Sequence, residues 1–84
     1  MKTQQMHYSM LIQWSAEDDA FLVSLPEWEG RVFNPVTHGD TYEEAAKHGL
    51  EVLEGIVASL LADGESLPEV VAFRSREPVS TQTR

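Results

Sequence analysis

One stretch of the sequence, about residues 42–62, carries a helical repeat that most constrains how this chain can fold. Its apolar residues recur at spacings of three and four, which places them on one face of an α-helix: Ala45, Ala46, Leu50, Leu53, Ile56, Val57, Leu60 and Leu61. Thr41 is a candidate N-cap, and Glu44 completes a capping box with it. Gly64 lies where a left-handed C-terminal cap is needed. The pattern predicts one long helix with one buried face.

Two segments ahead of this helix alternate in the manner of β-strands. Residues 7–14 and 20–25 are rich in β-favouring side chains, and the polar residues 15–19 between them suit a hairpin turn. One short strand is expected between Arg31 and His38, and the apolar residues 70–73 suggest another after the helix. The fold class predicted is therefore α+β, with an antiparallel three- to four-stranded sheet packed against one main helix in the order strand-strand-strand-helix-strand.

The chain length of 84 residues predicts a single domain, residues 1–73, with a flexible C-terminal tail, residues 74–84. A chain of this length buries little apolar surface, and self-association would bury more and so add stability. The absence of cysteine excludes disulfides, thiolate metal sites and a cysteine nucleophile. No apolar run is long enough for a signal or a membrane span, so a cytoplasmic protein with no membrane partner is expected.

The charge balance is strongly acidic. Fourteen acidic residues against six basic ones give a net charge of −8, which repels nucleic acid and attracts basic partners. Plain solubility is the alternative interpretation of the same charge. Either way, nucleic-acid binding by this chain alone is disfavoured.

Catalytic chemistry has no support in the sequence. His7, His38 and His48 lack the spacing of metal ligands, and the paired carboxylates fall in a predicted turn or on the polar helix face. We therefore predict no catalytic residue, no cofactor and no metal. A nuclease with carboxylates converging on a divalent metal is the least favoured function.

The residue that most favours a binding function is Trp28, which is flanked by acids directly after Pro26. Tryptophan is enriched among binding hot spots, but a small core also needs large side chains. The two roles, interface anchor and lid over the helix, have equal weight at this point. The predicted partner-binding site consists of Glu27, Trp28, Glu29 and Arg31.

The order of these segments resembles a known family. The loop SLPEWEG is followed by THGDTYEEAAKHGLEVLEGIVASLLADGESLPE, and this arrangement is similar to the HicB-like antitoxin domain over about residues 8–69. The matching helix start and helix end comprise Gly39, Asp40, Thr41, Glu43, Glu44, Ala45, Asp63, Gly64, Glu65 and Pro68.

The resemblance implies a partial ribonuclease H-like fold without catalytic carboxylates. It also implies an antitoxin that neutralises a small basic RNA-cleaving toxin of the HicA type by covering its active surface. A homo-oligomer, dimer or tetramer, is expected with it. The alternative is an orphan HicB-like domain, without a toxin, that acts as a self-assembling structural or small-ligand-binding protein.

This chain departs from the family pattern in two places. Glu29, Gly30 and Arg31 stand where the family has proline, glycine and cysteine, and residues 31–37 make a longer stretch than is typical. Residues 74–84 are too few for the DNA-binding domain that many relatives carry. We therefore expect no direct DNA binding by this chain.

Overall fold

A computed structural model of the chain describes residues 7–74. The main elements are β1 (Leu11–Ser15), β2 (Ala20–Ser24), β3 (Thr37–Gly39) and α1 (Tyr42–Ala62), with a short 3-10 helix at Pro26–Trp28. The strands form one antiparallel sheet in the order β1-β2-β3, and α1 packs on one of its faces. The predicted α+β class, with a three-stranded sheet and one main helix, is confirmed.

The first two strands form the predicted hairpin. Ile12 lies opposite Val23, and Trp14 lies opposite Phe21. Asp19 takes a positive φ of 53° in the connecting turn, a conformation that aspartate adopts more readily than most residues. β1 begins later than the predicted residue 7, at Leu11, and Tyr8 and Met10 ahead of it pack against the core instead.

The third and fourth strands differ from expectation. The short third strand lies at Thr37–Gly39, at the far end of the predicted range. The predicted fourth strand is wrong, because residues 70–73 form no strand. There the Val71 N–H donates to the Glu27 carboxylate at 3.0 Å, so a side chain rather than a strand edge holds this segment. The predicted tail lies outside the described residues except for Arg74.

Both ends of α1 use the predicted caps. The Thr41 hydroxyl accepts a hydrogen bond from the Glu44 N–H at 3.0 Å, while the Glu44 carboxylate reaches back to the Asp40 N–H at 2.7 Å. At the other end, Gly64 has a φ of 72° and its N–H donates to the Leu61 carbonyl. These bonds satisfy backbone groups that a helix leaves unpaired at its ends.

The buried face of α1 is centred on Ala45, Gly49 and Leu53. A methyl group at Gly49 would lie 2.7 Å from the Met10 sulfur and 2.9 Å from Val23 Cγ1, so glycine permits a close approach of helix and sheet at this point. Leu50, which the periodicity placed on the buried face, is 43% exposed because it is rotated about 100° from Gly49. Leu61 is also exposed.

The core lies between the second half of α1 and the segment that follows β2. Leu25, Trp28 and Leu53 are buried at its centre. Around them packs a shell of partly buried apolar side chains: Tyr8, Met10, Val32, Val36, Ile56, Val57, Leu60 and Leu67. Within residues 7–74, no helix is both long enough and apolar enough to span a bilayer.

Candidate protein-binding surface

The predicted binding site lies in the loop between β2 and β3. Its first part is the 3-10 helix, in which the Trp28 N–H donates to the Leu25 carbonyl at 3.0 Å. The Trp28 carbonyl in turn accepts from the N–H groups of Arg31 and Val32, at 2.8 and 3.1 Å. Gly30 adopts a φ of 86°, a left-handed conformation that glycine tolerates without strain. The loop is thus an ordered turn built on its own backbone.

Trp28 is fully buried, so of its two predicted roles the structure shows the core lid. Its ring packs edge-on against Tyr8, with centroids 5.2 Å apart, and the Arg31 guanidinium lies 5.7 Å from the ring centroid. Among the described residues, the buried indole Nε1–H has no hydrogen-bond acceptor. The indole contributes packing, and it presents no surface to a partner in this conformation.

Glu27 is a structural clamp rather than a free surface charge. Its carboxylate accepts hydrogen bonds from the Ser9 N–H and Ser9 hydroxyl, both at 2.9 Å, and from the Val71 N–H at 3.0 Å. Burial acts to raise the pKa of Glu27, but the hydrogen bonds from Val71 and Ser9 outweigh it, so the pKa lies below its usual value. The clamp joins three separate segments of the chain.

Two further bonds hold the segment that follows α1 against this loop. The Tyr8 hydroxyl donates to the Pro68 carbonyl at 2.6 Å, and the Arg31 guanidinium donates to the Ser66 carbonyl at 2.9 Å. Burial raises the pKa of Tyr8, the Glu27 carboxylate raises it further, and Arg31 opposes both. Arg31 therefore has an intramolecular role as well as an exposed position.

Asn34 pins the second half of the loop. Its side-chain carbonyl accepts from the Leu25 N–H at 2.9 Å, and its amide donates to the Leu25 carbonyl and to the Glu29 carboxylate. These bonds imitate a strand neighbour for β2 where the backbone has turned away. Asn34 thus fixes the second half of the loop, in addition to the backbone bonds around Trp28 that fix the first half.

Phe33 precedes this asparagine and is 95% exposed. Its neighbour Val32 packs into the core, and Asn34 is bonded to the backbone, so the phenyl ring stands outward from a fixed loop. The sequence interpretation missed this residue and considered only Trp28 as a possible aromatic anchor, with equal weight on its role as a lid over the helix. The available signal was the adjacent pair Val32 and Phe33, because successive side chains of an extended segment point to opposite sides and only one of the two can then face the core.

The surface around Phe33 is an open depression of about 350 Å³ lined by residues 29–34. Of the four predicted contact residues, Glu29 and Arg31 are exposed on it and Glu27 is partly buried. Contact with a partner at Glu27, Glu29 and Arg31 stays a prediction. Within the part of the chain that the structure describes, no group of three histidine or acidic side chains is placed to hold a metal ion.

Comparison of the chain with protein-family models, with curated proteins and with solved structures found no match. The resemblance to HicB-like domains, and the ribonuclease H-like relationship that it implies, therefore stay predictions.

Proposed function

We propose that this chain is a non-catalytic protein-binding module of the HicB antitoxin type. In this role it neutralises a small, basic, RNA-cleaving toxin of the HicA type by covering the toxin's active surface. The partner-binding surface is the loop of residues 29–34, with Phe33 as its apolar anchor and Glu29 and Arg31 beside it.

The exposure of Phe33 is the observation that carries this proposal. An aromatic side chain left almost wholly in water costs solubility, and large aromatic side chains are enriched at the centres of protein interfaces. The loop that bears it is held by Asn34 and by the buried Trp28, so little conformational entropy is lost on binding.

Charge supports a basic partner. Arg31, Lys47 and Arg74 are the only basic residues within 7–74, against thirteen of the fourteen acids. Lys47 is paired with Glu51 at 3.6 Å, and Arg31 is bonded to the Ser66 carbonyl. An acidic surface of this kind speeds encounter with a cationic toxin and opposes its binding to RNA.

The first test is genetic and biochemical. We expect a basic protein of roughly sixty residues, short enough to be a single small domain, to be encoded beside this chain. The two should co-purify after co-expression, and co-expression should restore growth that the toxin alone arrests. If the adjacent reading frames encode no such protein and purification from the native cell yields only this chain, neutralisation is refuted.

The second test addresses the surface. Phe33→Ala should weaken toxin binding by about 30-fold or more, as expected when a hot-spot side chain is truncated. Phe73→Ala is the matched control, because Phe73 is 91% exposed but lies outside the loop. If calorimetry gives equal affinities for the two variants, the loop is not part of the interface.

The alternative is an orphan HicB-like domain that self-assembles or binds a small ligand. The observation that favours self-assembly is the exposure of apolar residues away from the loop, on β1 and on α1. Light scattering on the chain expressed alone tests it, since a monomer at micromolar concentration contradicts assembly.

A further inference from the structure

We infer that β1 is a self-pairing edge, through which two copies of this chain form a twofold dimer with one continuous six-stranded sheet. The inference is independent of the proposed toxin binding, because β1 and the 29–34 loop are different surfaces. It rests on the backbone direction of β1, on the lack of charge along it and on the side chains that the twofold brings together.

The unpaired backbone groups of β1 follow from the register of the sheet. The Val23 carbonyl accepts from the Val36 N–H at 2.8 Å, on the β3 side of β2. Successive residues of a strand direct their backbone groups to opposite edges, so Leu22 must bond towards β1, through Gln13. The N–H and C=O groups of Ile12 and Trp14 therefore point away from the sheet.

In the sheet order β1-β2-β3, β1 is an outer strand, and among residues 7–74 no other strand pairs with its free edge. Natural edge strands are protected by lysine, proline, bulges or inward charges, and β1 has none of these. It also belongs to the longest charge-free stretch of the sequence, residues 3–16. Because the chain has a net charge of −8, a second acidic copy meets the least electrostatic repulsion along this stretch. A cationic partner is attracted more strongly to the acidic parts of the surface.

A twofold axis at Gln13 makes the edge complementary to itself. All five residues of β1 then overlap antiparallel, and the outward groups of Ile12 bond those of Trp14 in the partner copy. Each Ile12 side chain lies beside the partner's Trp14, an aromatic and β-branched pair that is favourable across strands. Trp14 is 53% exposed and packs against Phe21, and pairing covers part of its exposed surface.

Cysteine cross-linking tests the register, because the chain has no cysteine of its own. In the proposed dimer the two Gln13 residues form a non-hydrogen-bonded pair with Cα atoms about 4.5 Å apart, within disulfide range. Gln13→Cys should give a disulfide-linked dimer under mild oxidation. Leu11→Cys is the matched control, since it lies on the same sheet face but its two copies stand roughly 14 Å apart.

Sedimentation equilibrium on the full chain tests the assembly itself. Trp14→Lys should raise the dimer dissociation constant at least about tenfold, because it places charge beside Ile12 of the second copy. Phe33→Lys is the control that should leave dimerisation unchanged. Circular dichroism of both variants confirms that they remain folded.

A monomeric wild-type chain at 100 µM, or equal cross-linking of the Gln13→Cys and Leu11→Cys variants, would overturn the twofold edge. Trp14→Lys should leave toxin binding intact, whereas Phe33→Lys should abolish it. The two variants therefore test the β1 dimer and the toxin-binding loop separately.

Discussion

The Glu27 clamp offers the sharpest test of what stabilises this fold. The Glu27→Gln substitution replaces one carboxylate oxygen, an acceptor, with an NH2 group, a donor. That NH2 group then faces the N–H of Ser9 or of Val71, and the hydrogen bond from that N–H is lost. Hydrogen bonds to charged groups contribute about 1.5–3 kcal/mol each. The site is partly exposed and water substitutes in part, so we expect a net loss of about 2 kcal/mol in unfolding free energy. That corresponds to a fall in melting temperature of roughly 8–16 °C for a domain of this size.

The assay is urea unfolding followed by tryptophan fluorescence, with thermal melts by circular dichroism. Glu69→Gln is the matched control, because it removes the same charge from an exposed position and should stay within about 0.5 kcal/mol of wild type. If Glu27→Gln is no less stable than Glu69→Gln, the clamp contributes nothing to stability and the interpretation is wrong.

The same carboxylate predicts a pH dependence. The folded pKa of Glu27 lies below the reference value of 4.5, so its stabilisation is fully present above about pH 4.5 and is lost as pH falls through the folded pKa. The stability difference between wild type and Glu27→Gln should therefore shrink in acid. A difference that is constant from pH 7 to pH 3 would contradict a clamp that depends on the ionised carboxylate.

Three further changes test the fold. Gly49→Ala forces a methyl group into the helix-sheet contact and should cost about 1–3 kcal/mol in urea unfolding, whereas Gly55→Ala, in open space on the same helix, should be neutral or stabilise by up to about 1 kcal/mol. The reverse order would refute the close approach. Thr41→Ala should cost about 1 kcal/mol through loss of the N-cap, while Thr41→Ser should retain most of it. Asn34→Ala leaves both backbone groups of Leu25 without these partners and should cost about 1–3 kcal/mol; limited proteolysis should then cleave at residues 29–34, and unchanged resistance would contradict the pinning role.

The local elements were predictable because their signals are local. A capping box and a helix C-terminal glycine report on bonds between residues three to five positions apart, and α1 has the predicted bounds of 42–62. The hairpin is similarly encoded by alternation on both sides of a polar turn. The prediction failed at residues 70–73, where an apolar, β-favouring run is held by a glutamate side chain 44 positions earlier in the chain.

The site shows the same division between local and long-range information. The sequence placed the predicted partner-binding site at Trp28 and its neighbours, and the candidate surface lies on the same loop. The pattern left open whether Trp28 faces solvent or the core, and it did not identify Phe33 as the exposed aromatic residue. That depended on the space beneath α1, which Trp28 fills, and on Asn34, which bonds to Leu25 and leaves Phe33 outside.

The fold class, the long capped helix, the hairpin and the acidic charge could be predicted without the structure, because each follows from periodicity, capping chemistry or composition. Three outcomes required the tertiary structure: Gly49 rather than Leu50 meets the sheet, Glu27 joins three segments, and β1 is an outer strand of the sheet. These outcomes depend on contacts between residues far apart in the chain. Such contacts form only when the helix and the sheet pack together around their shared core.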